Sequence, residues 1–591
     1  MRKNFVRRFH YAGLLLALFI VVQGCTSSKA PEPFTLTIAH INDTHGSLEP
    51  SALEIRINGT ATYTRMGGFP AITAKVKQLR HDKPNFLFLH AGDVFQGTLY
   101  FIKYLGMADL EFLELMKPDA MCTGNHEFDK GPAVLARFID EAVKHFPVLS
   151  ANISTEKEPL LAGKIKPYVI KKLGGREIGI IGITTLETPE VSAPGKNLVF
   201  NDPVKPVKDA ISELTGKGIG IIILLSHQGF ENDVEMAKTV TGIDVVVGGH
   251  SHTLTGRFEG LPEFSPEADY PFVVKNSAQE TVLVVQAWSK ARVLGILDVS
   301  FDNGGHVTGY SGHPLVITGN KAEDFRQKNA AGEKETVSAD TFAAISAFLS
   351  KDPVLEPSLG DAEAEALLDK YAAPILKLKQ EVIGRNDADL WNVREPGDTH
   401  ETAGKMVNGS LIAPVVADAL LWKAKTVKDE NTRIAIQNAG GVRGDIPKGD
   451  VTVGEVYELL PFENTMVLFD LTGAEVKEAL RNAVIRADGA FPYTAGLRYT
   501  ADLSKTGSDF FTAVDVRSGE EWVPLADDET YHIAVNSFIA SGKDGYTLFE
   551  TVKDRHYDTG FMDAEIFMDY IKAVKTLTLP ETRVKVIDSK K

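Results

Sequence analysis

Short runs rich in Val, Ile and Leu recur between Phe34 and Leu315, and several stop abruptly in a turn carrying histidine or aspartate. The candidate strands are residues 35–41, 85–89, 178–183, 219–225, 244–247 and 282–286. Runs this continuously apolar predict strands buried on both faces. Helix-patterned stretches such as 71–80 and 132–144 lie between several of them. This alternation predicts a layered α/β domain. In such sheets ligands bind at the carboxyl ends of the strands.

The length of 591 residues suggests two to four domains at ~150 residues each. An apolar fraction of 43% and a charged fraction of 24% exclude disorder as the main state. Two cysteines, Cys25 and Cys122, exclude a disulfide scaffold. A net charge of −16 argues against a nucleic acid polymer bound over a broad surface. The first domain is expected over 34–318. Residues 319–380 change character and read as a connector, polar over 321–340 and helical over 361–381 with Pro374 inside. A second domain runs over 381–580, with strands at 433–437, 466–471 and 531–535 and helices at 411–424, 473–484 and 564–574.

Arg2, Lys3, Arg7 and Arg8 open the chain, followed by an uncharged apolar run over 11–22. That run is too short for the ~20 residues of a membrane-spanning helix. A basic start and a short apolar run read as a secretory signal over 1–24. Val22-Gln23-Gly24-Cys25 resembles a bacterial lipobox, in which the cysteine is lipidated and becomes the new N-terminus. The plain alternative is an ordinary signal peptide with a chance cysteine. Residues 25–33 would be a polar tether, and the protein a membrane-anchored lipoprotein of the bacterial cell envelope, periplasmic or on the outer surface. Cleavage removes four basic side chains and no acidic ones, leaving about −20. Cys122 is then expected to be buried and inert.

The chemistry lies in the turns. Strand 35–41 leads into Asn42-Asp43-Thr44-His45-Gly46, and strand 85–89 through His90 and Ala91 into Gly92-Asp93. Strand 219–225 leads into Ser226-His227, and strand 244–247 into Gly248-Gly249-His250-Ser251-His252. Gly124-Asn125-His126-Glu127-Phe128-Asp129 lies between. Five of the fifteen histidines fall in these turns. Aspartate and neutral histidine are good ligands for Zn, Mn or Fe, and asparagine adds a carbonyl oxygen. His-x-His on an extended segment points both rings to one face. One carboxylate, here Asp93, can bridge two ions ~3.5–4 Å apart. Any one of these residues alone is more often a cap, a turn or a core group. Five such elements in this order point to a metal site.

This order of motifs resembles the calcineurin-type metallophosphatase superfamily. The surrounding text (NDTHG, GDVFQGT, GNHEFD, SHQG, GGHSH) is similar to its 5′-nucleotidase family, which includes bacterial periplasmic nucleotidases with UDP-sugar hydrolase activity. The resemblance covers about residues 34–580. It implies an N-terminal four-layer α/β/β/α sandwich, a helical linker and a C-terminal α+β nucleotide-binding domain. It implies two divalent ions (Mn, Zn or Fe): one held by Asp43, His45, Asp93 and His252, the other by Asp93, Asn125, His227 and His250. It also implies that His126 faces the phosphate, oriented by Asp129, as a catalytic dyad. Asp129 could instead cap a helix beginning near Gly131-Pro132.

In the second domain Asn438-Ala439-Gly440-Gly441-Val442-Arg443 follows an apolar strand. Its glycines suit close approach to a ligand, and Arg443 can pair bidentately with a phosphate or carboxylate. Phe462 and Phe538 could stack on a flat base or simply fill the core. The resemblance implies that they clamp the nucleobase, that Asn464 and Asp544 contact base or ribose, and that Arg443 contacts substrate. One departure stands out. The family arginine before the helix that contains Asp418-Ala419 is replaced by Asn408, and the following glutamate by Gly409. The implied activity is release of phosphate from nucleoside 5′-monophosphates, with nucleotide pyrophosphates as further substrates. Hydrolysis of NAD, UDP-sugars or 2′,3′-cyclic nucleotides is the alternative. A lipoprotein that binds nucleotides without turnover would show losses among the metal residues, and none is found.

Overall fold

The computed structural model describes residues 34–427, 431–462 and 464–587. Cys25 and the expected signal and tether lie outside the described residues.

Two sheets pack face to face in the first domain. In the larger, Phe34–Ile41 pairs in parallel with Phe86–His90, which continues to Ala120–Cys122 and Val148–Leu149. In the smaller, Arg176–Thr184, Ile221–His227, Val245–Gly248 and Thr281–Gln286 run in parallel. Alternation along one strand divides the core. Ile221, Ile223 and Leu225 point between the sheets, where they meet Leu36, Ile38, Leu87 and Leu89. Ile222 and Leu224 point outward beneath helices Val204–Gly216 and Phe230–Thr239. On the other outer face Ala39, Ile41, Phe86 and Phe88 are covered by helix Phe69–Asp82 and its neighbours. The result is the expected order α/β/β/α, and apolar runs arise because each central strand is covered twice.

Registry aligns the carboxyl ends. Ile41 lies opposite His90, and Leu225 opposite Val247. The turns after these strands therefore open on one rim.

The stretch expected to be a connector is built into the first domain for half its length. Arg326–Lys328 and Lys334–Thr336 form a hairpin on the strand Thr60–Met66, and Leu355–Pro357 pairs in parallel with Val307–Thr318. These edge strands are short and polar, so no apolar run announced them. Helix Ala362–Lys379 follows, its N-terminus capped by Asp361, which accepts the Ala364 N–H at 3.0 Å. This helix packs on Phe69–Asp82 at one end and on Val453–Leu459 of the second domain at the other.

The second domain is α+β. Its five-stranded sheet runs Pro492–Ala495, Ile434–Asn438, Thr530–Asn536, Thr465–Thr472, His556–Met562, with helices Ala413–Val427, Gly473–Arg486 and Asp563–Val574 against it. Ile434–Asn438 and Thr530–Asn536 are parallel, with Ile436 opposite Val535. Their carboxyl ends, Asn438 and Asn536, thus open side by side.

Ile223 is fully buried between the two sheets. Ile223→Ala should cost about 2–5 kcal/mol in chemical denaturation. A cost below about 1 kcal/mol would mean that the inter-sheet core collapses around the deletion, contrary to the close packing described.

Candidate active site

At the rim of the first domain two groups converge: Asp43 with His45 and His252, and Asp93 with His227 and His250. Within each group one ligand atom per residue lies within 4.8 Å of the others. Asn125 adjoins the second group, its Oδ1 3.0 Å from His250 Nδ1. Asp93 sits between the groups, with Oδ2 3.0 Å from His227 Nε2 and 3.9 Å from His45 Nε2. All seven residues expected from the turns therefore meet at one place.

The main chain is bent to bring them there. Asp43, His45, Asp93, His250 and His252 all have φ between 49° and 76°. Each non-glycine residue in that region costs roughly 1–2 kcal/mol, and such strain persists where the surroundings over-determine it. The glycines beside them allow the loops to stack without side chains. A Cβ on Gly124 would lie 2.0 Å from Asp93 Oδ1, and one on Gly249 would lie 2.6 Å from the Ala91 carbonyl.

Hydrogen bonds orient the rings. His45 Nδ1 meets the Phe95 carbonyl at 3.0 Å and His227 Nδ1 the Ala91 carbonyl at 2.6 Å, so both Nδ1 atoms carry the proton and both Nε2 atoms face the centre. His45 Nε2 and His252 Nε2 are 3.0 Å apart. His227 Nε2 is buried and makes no hydrogen bond, although it points toward Asp93. Burial holds His45 neutral, down to about 3. Burial also opposes charge on His227, but Asp93 and Asp43 outweigh it and raise it to about 9. Burial would raise Asp43, yet His252 and His227 bring it to about 2. Anionic carboxylates and imidazole nitrogens turned inward suit positive charge at the centre. This donor set of imidazole, carboxylate and amide oxygen fits divalent ions of the Mn, Zn or Fe type.

Beside this centre, His126 Nδ1 donates to Asp129 Oδ2 at 2.7 Å, and Ser192 Oγ donates to Asp129 Oδ1 at 2.7 Å. Burial disfavours the His126 cation, but Asp129 and Asp93 reverse this and carry it up to about 10. Asp129 does not cap the helix Gly131–Ala142: the position before that helix is Lys130, with no side-chain cap. Cys122 is buried, as expected, and burial pushes its thiol up.

In the second domain Asn438 is buried at the strand end. It donates to Asp544 Oδ2 at 3.1 Å and accepts from Asn536 Nδ2 at 2.9 Å. Phe462 and Phe538 are 48% and 37% exposed, so neither fills the core. Arg443 lies over the Phe462 ring at 5.5 Å and Lys543 over Phe538 at 5.6 Å. Asn464 is turned inward, its amide 3.3 Å from Asp563 Oδ2. Gly440 and Gly441 form a single tight turn, and a Cβ on Gly441 would strike Gln437 Nε2 at 2.4 Å.

Asn408 is exposed and reaches Thr582 Oγ1 at 3.4 Å. Gly409 has φ +79° and abuts the Tyr493 hydroxyl, where a Cβ would come within 2.2 Å, so a glutamate cannot stand there. Arg394, unmarked in the sequence, lies beside the Gly440 turn. Its Nη1 lies 3.1 Å from where a Cβ of Gly440 would be and 3.4 Å from that of Gly489. Ser192 and Gly560 were likewise not anticipated. Gly560, at φ +68°, rests on the His126 ring, and a Cβ there would be 2.2 Å from Cε1.

Residues 36–254 match the calcineurin-like phosphoesterase family and residues 382–551 the 5′-nucleotidase C-terminal domain. Paired sheets, a donor set at their strand ends and this match define a metal-dependent phosphohydrolase of the calcineurin-like class. The chain is 34% identical over 576 residues to the NAD 5′-nucleotidase of Haemophilus influenzae, covering 95% of this chain and 94% of that one. It is 35% identical over 575 residues to a probable 5′-nucleotidase of Treponema pallidum, covering 94% and 95%. The solved structure of the Haemophilus influenzae NAD nucleotidase matches with a TM-score of 0.80 at 33% identity, over 94% of this chain and 99% of that one. That of a 5′-nucleotidase precursor from Thermus thermophilus matches with 0.58 at 40% identity, over 94% and 100%. The chain belongs to the 5′-nucleotidase family.

The Gly560 contact can be tested directly. Gly560→Ala should lift the strand His556–Met562 from His126, because the added carbon has no space and φ is unfavourable. Amide hydrogen exchange over 556–562 should then be faster than in the parent chain. Unchanged exchange would contradict the contact.

Proposed function

We propose that this chain is an exported, lipid-anchored hydrolase that releases phosphate from nucleoside 5′-monophosphates and also cleaves nucleotide pyrophosphates. The observation that carries the reading is the convergence of seven donors with His45 Nε2 and His252 Nε2 facing each other at 3.0 Å. Asp43, His45, Asp93 and His252 would hold one divalent ion. Asp93, Asn125, His227 and His250 would hold a second, with Asp93 shared. Two such ions, when bound, supply Lewis acidity to the phosphoryl oxygens and a nucleophile at neutral pH.

The chain's own groups do the rest. His126 keeps a proton on Nδ1 toward Asp129 and presents Nε2 to the phosphate, where it steadies charge or protonates the leaving oxygen. Phe462 and Phe538 stack on the base. Asp544 with Asn464 reads base or ribose, and Arg443 takes a phosphate or carboxylate. Asn438, Gly440 and Gly441 shape the floor of this pocket, and Arg394 adds a second guanidinium at its edge. For substrate to reach His126, the strand bearing Gly560 has to withdraw, which calls for movement between the domains. Lipidation at Cys25 would anchor the chain in the cell envelope. Among the described residues no helix is long and apolar enough to cross a membrane.

The name of the Haemophilus influenzae relative favours a dinucleotide such as NAD within the substrate range. The experiment is a substrate panel of AMP and other 5′-mononucleotides, NAD, UDP-glucose and 2′,3′-cyclic AMP, assayed with Mn²⁺ or Zn²⁺ before and after chelation. Phosphate release that chelation abolishes and metal restores is expected. No metal-dependent product from any nucleotide would sink the proposal. Asp129→Asn should lower kcat by about 100-fold at unchanged metal content. A kcat within twofold of the parent would remove Asp129 from the mechanism.

A further inference from the structure

Glu127 donates nothing to the metal donor set, yet its carboxylate is fully engaged. Oε2 accepts the Asp93 N–H at 2.9 Å and the Gly124 N–H at 2.6 Å. Oε1 accepts the Val94 N–H at 2.7 Å and the Phe95 N–H at 3.2 Å. Four main-chain donors from two separate loops thus meet on one side chain that is 1% exposed. One loop carries Asp93, and the other carries Asn125.

A buried carboxylate is costly unless hydrogen-bonded. Here bonds from four main-chain donors offset part of that cost, and they do so only in this loop arrangement. Asp93 is held at φ +59°. Glu127 takes its N–H and the next two, which fixes the turn that aims the Asp93 carboxylate inward. The neighbouring residue completes the grip, since the His126 N–H donates to Asp93 Oδ1 at 3.0 Å. Residue 126 therefore holds the Asp93 side chain while residue 127 holds its main chain.

A glutamine could not replace this carboxylate. It has one acceptor oxygen, and its amide protons would face main-chain N–H groups. Aspartate keeps both oxygens and the charge but is one carbon shorter.

We propose that Glu127 is a positioning residue that sets the spacing between the Asp93 and Asn125 loops, and so governs divalent-ion affinity through residues that it never shares with the ion. This rests on the ligand assignment proposed above. The test uses the full chain in three forms, parent, Glu127→Gln and Glu127→Asp, each stripped of metal. Circular dichroism and thermal melting report the fold of the metal-free protein. Calorimetry and electron paramagnetic resonance follow titration with Mn²⁺ alone.

Glu127→Gln should stay folded without metal, bind Mn²⁺ about 10–100-fold more weakly, and lose the spin-coupled signal of a paired site. Glu127→Asp should lose less. Parent-like affinity and spectrum in Glu127→Gln would overturn the inference. If that variant does not fold, parent-like affinity in Glu127→Asp would do so. If neither variant folds, the residue serves the fold and the inference also falls. If the parent chain itself binds no Mn²⁺, the ligand assignment fails first, which separates the two outcomes.

Discussion

Two carboxylates, Asp43 and Asp93, are packed out of water at the rim of one domain, ringed by four imidazoles and with no lysine or arginine in the converging set. At interior dielectric such a cluster is held together only by positive charge between its members. Much else in the first domain follows from this demand. Five of the donors accept a left-handed main chain in order to face the centre. The loops beneath them stack so closely that Gly124 and Gly249 have no space for a methyl group. The four-layer core below supplies the rigidity that lets these strained turns persist, because its central strands are clamped by apolar packing on both sides.

The second domain repeats the device with different chemistry. Two parallel strands again end side by side, at Asn438 and Asn536, but the turns that follow carry amides, glycines and half-exposed aromatics. Asn438 links Asn536 and Asp544 through its side-chain amide at the ends of these strands. On the proposed reading, phosphate chemistry and base recognition are built on separate sheets. Substrate range can vary through the second without disturbing the first. At Asn408 and Gly409 a glycine with φ +79° lets the chain fold back on Tyr493, and Arg394, fourteen residues upstream of Asn408, lies beside Gly440.

Much of this was legible in the sequence for a physical reason. Strands covered on both faces must be apolar throughout, so residues such as Ile221–Leu225 announce themselves. Metal donors follow local rules, so Asp43 with His45, or His250 with His252, can be read from spacing and type alone. Phe462 and Phe538 stand half-exposed, whereas their isolated spacing in the sequence fitted a core role as well as a ligand role. What could not be read depends on distant parts of the chain meeting. Ser192 reaches Asp129 across 63 residues, and Arg394 reaches Gly440 only because the intervening loop doubles back. The polar hairpin at Arg326–Lys328 and Lys334–Thr336 lies at a sheet edge, where no periodic apolar pattern is needed.

The seating of Gly560 on His126 has a thermodynamic consequence. If His126 receives the phosphate as proposed, the protein's own backbone stands in its place, and ligand and strand compete for the same imidazole. A measured dissociation constant is then the intrinsic one divided by the fraction of molecules in which the strand has withdrawn. Recognition of the base by the second domain, as proposed, would offset that tax. Nucleoside without phosphate would gain the recognition and leave the strand in place, whereas inorganic phosphate would meet the full cost of displacing it.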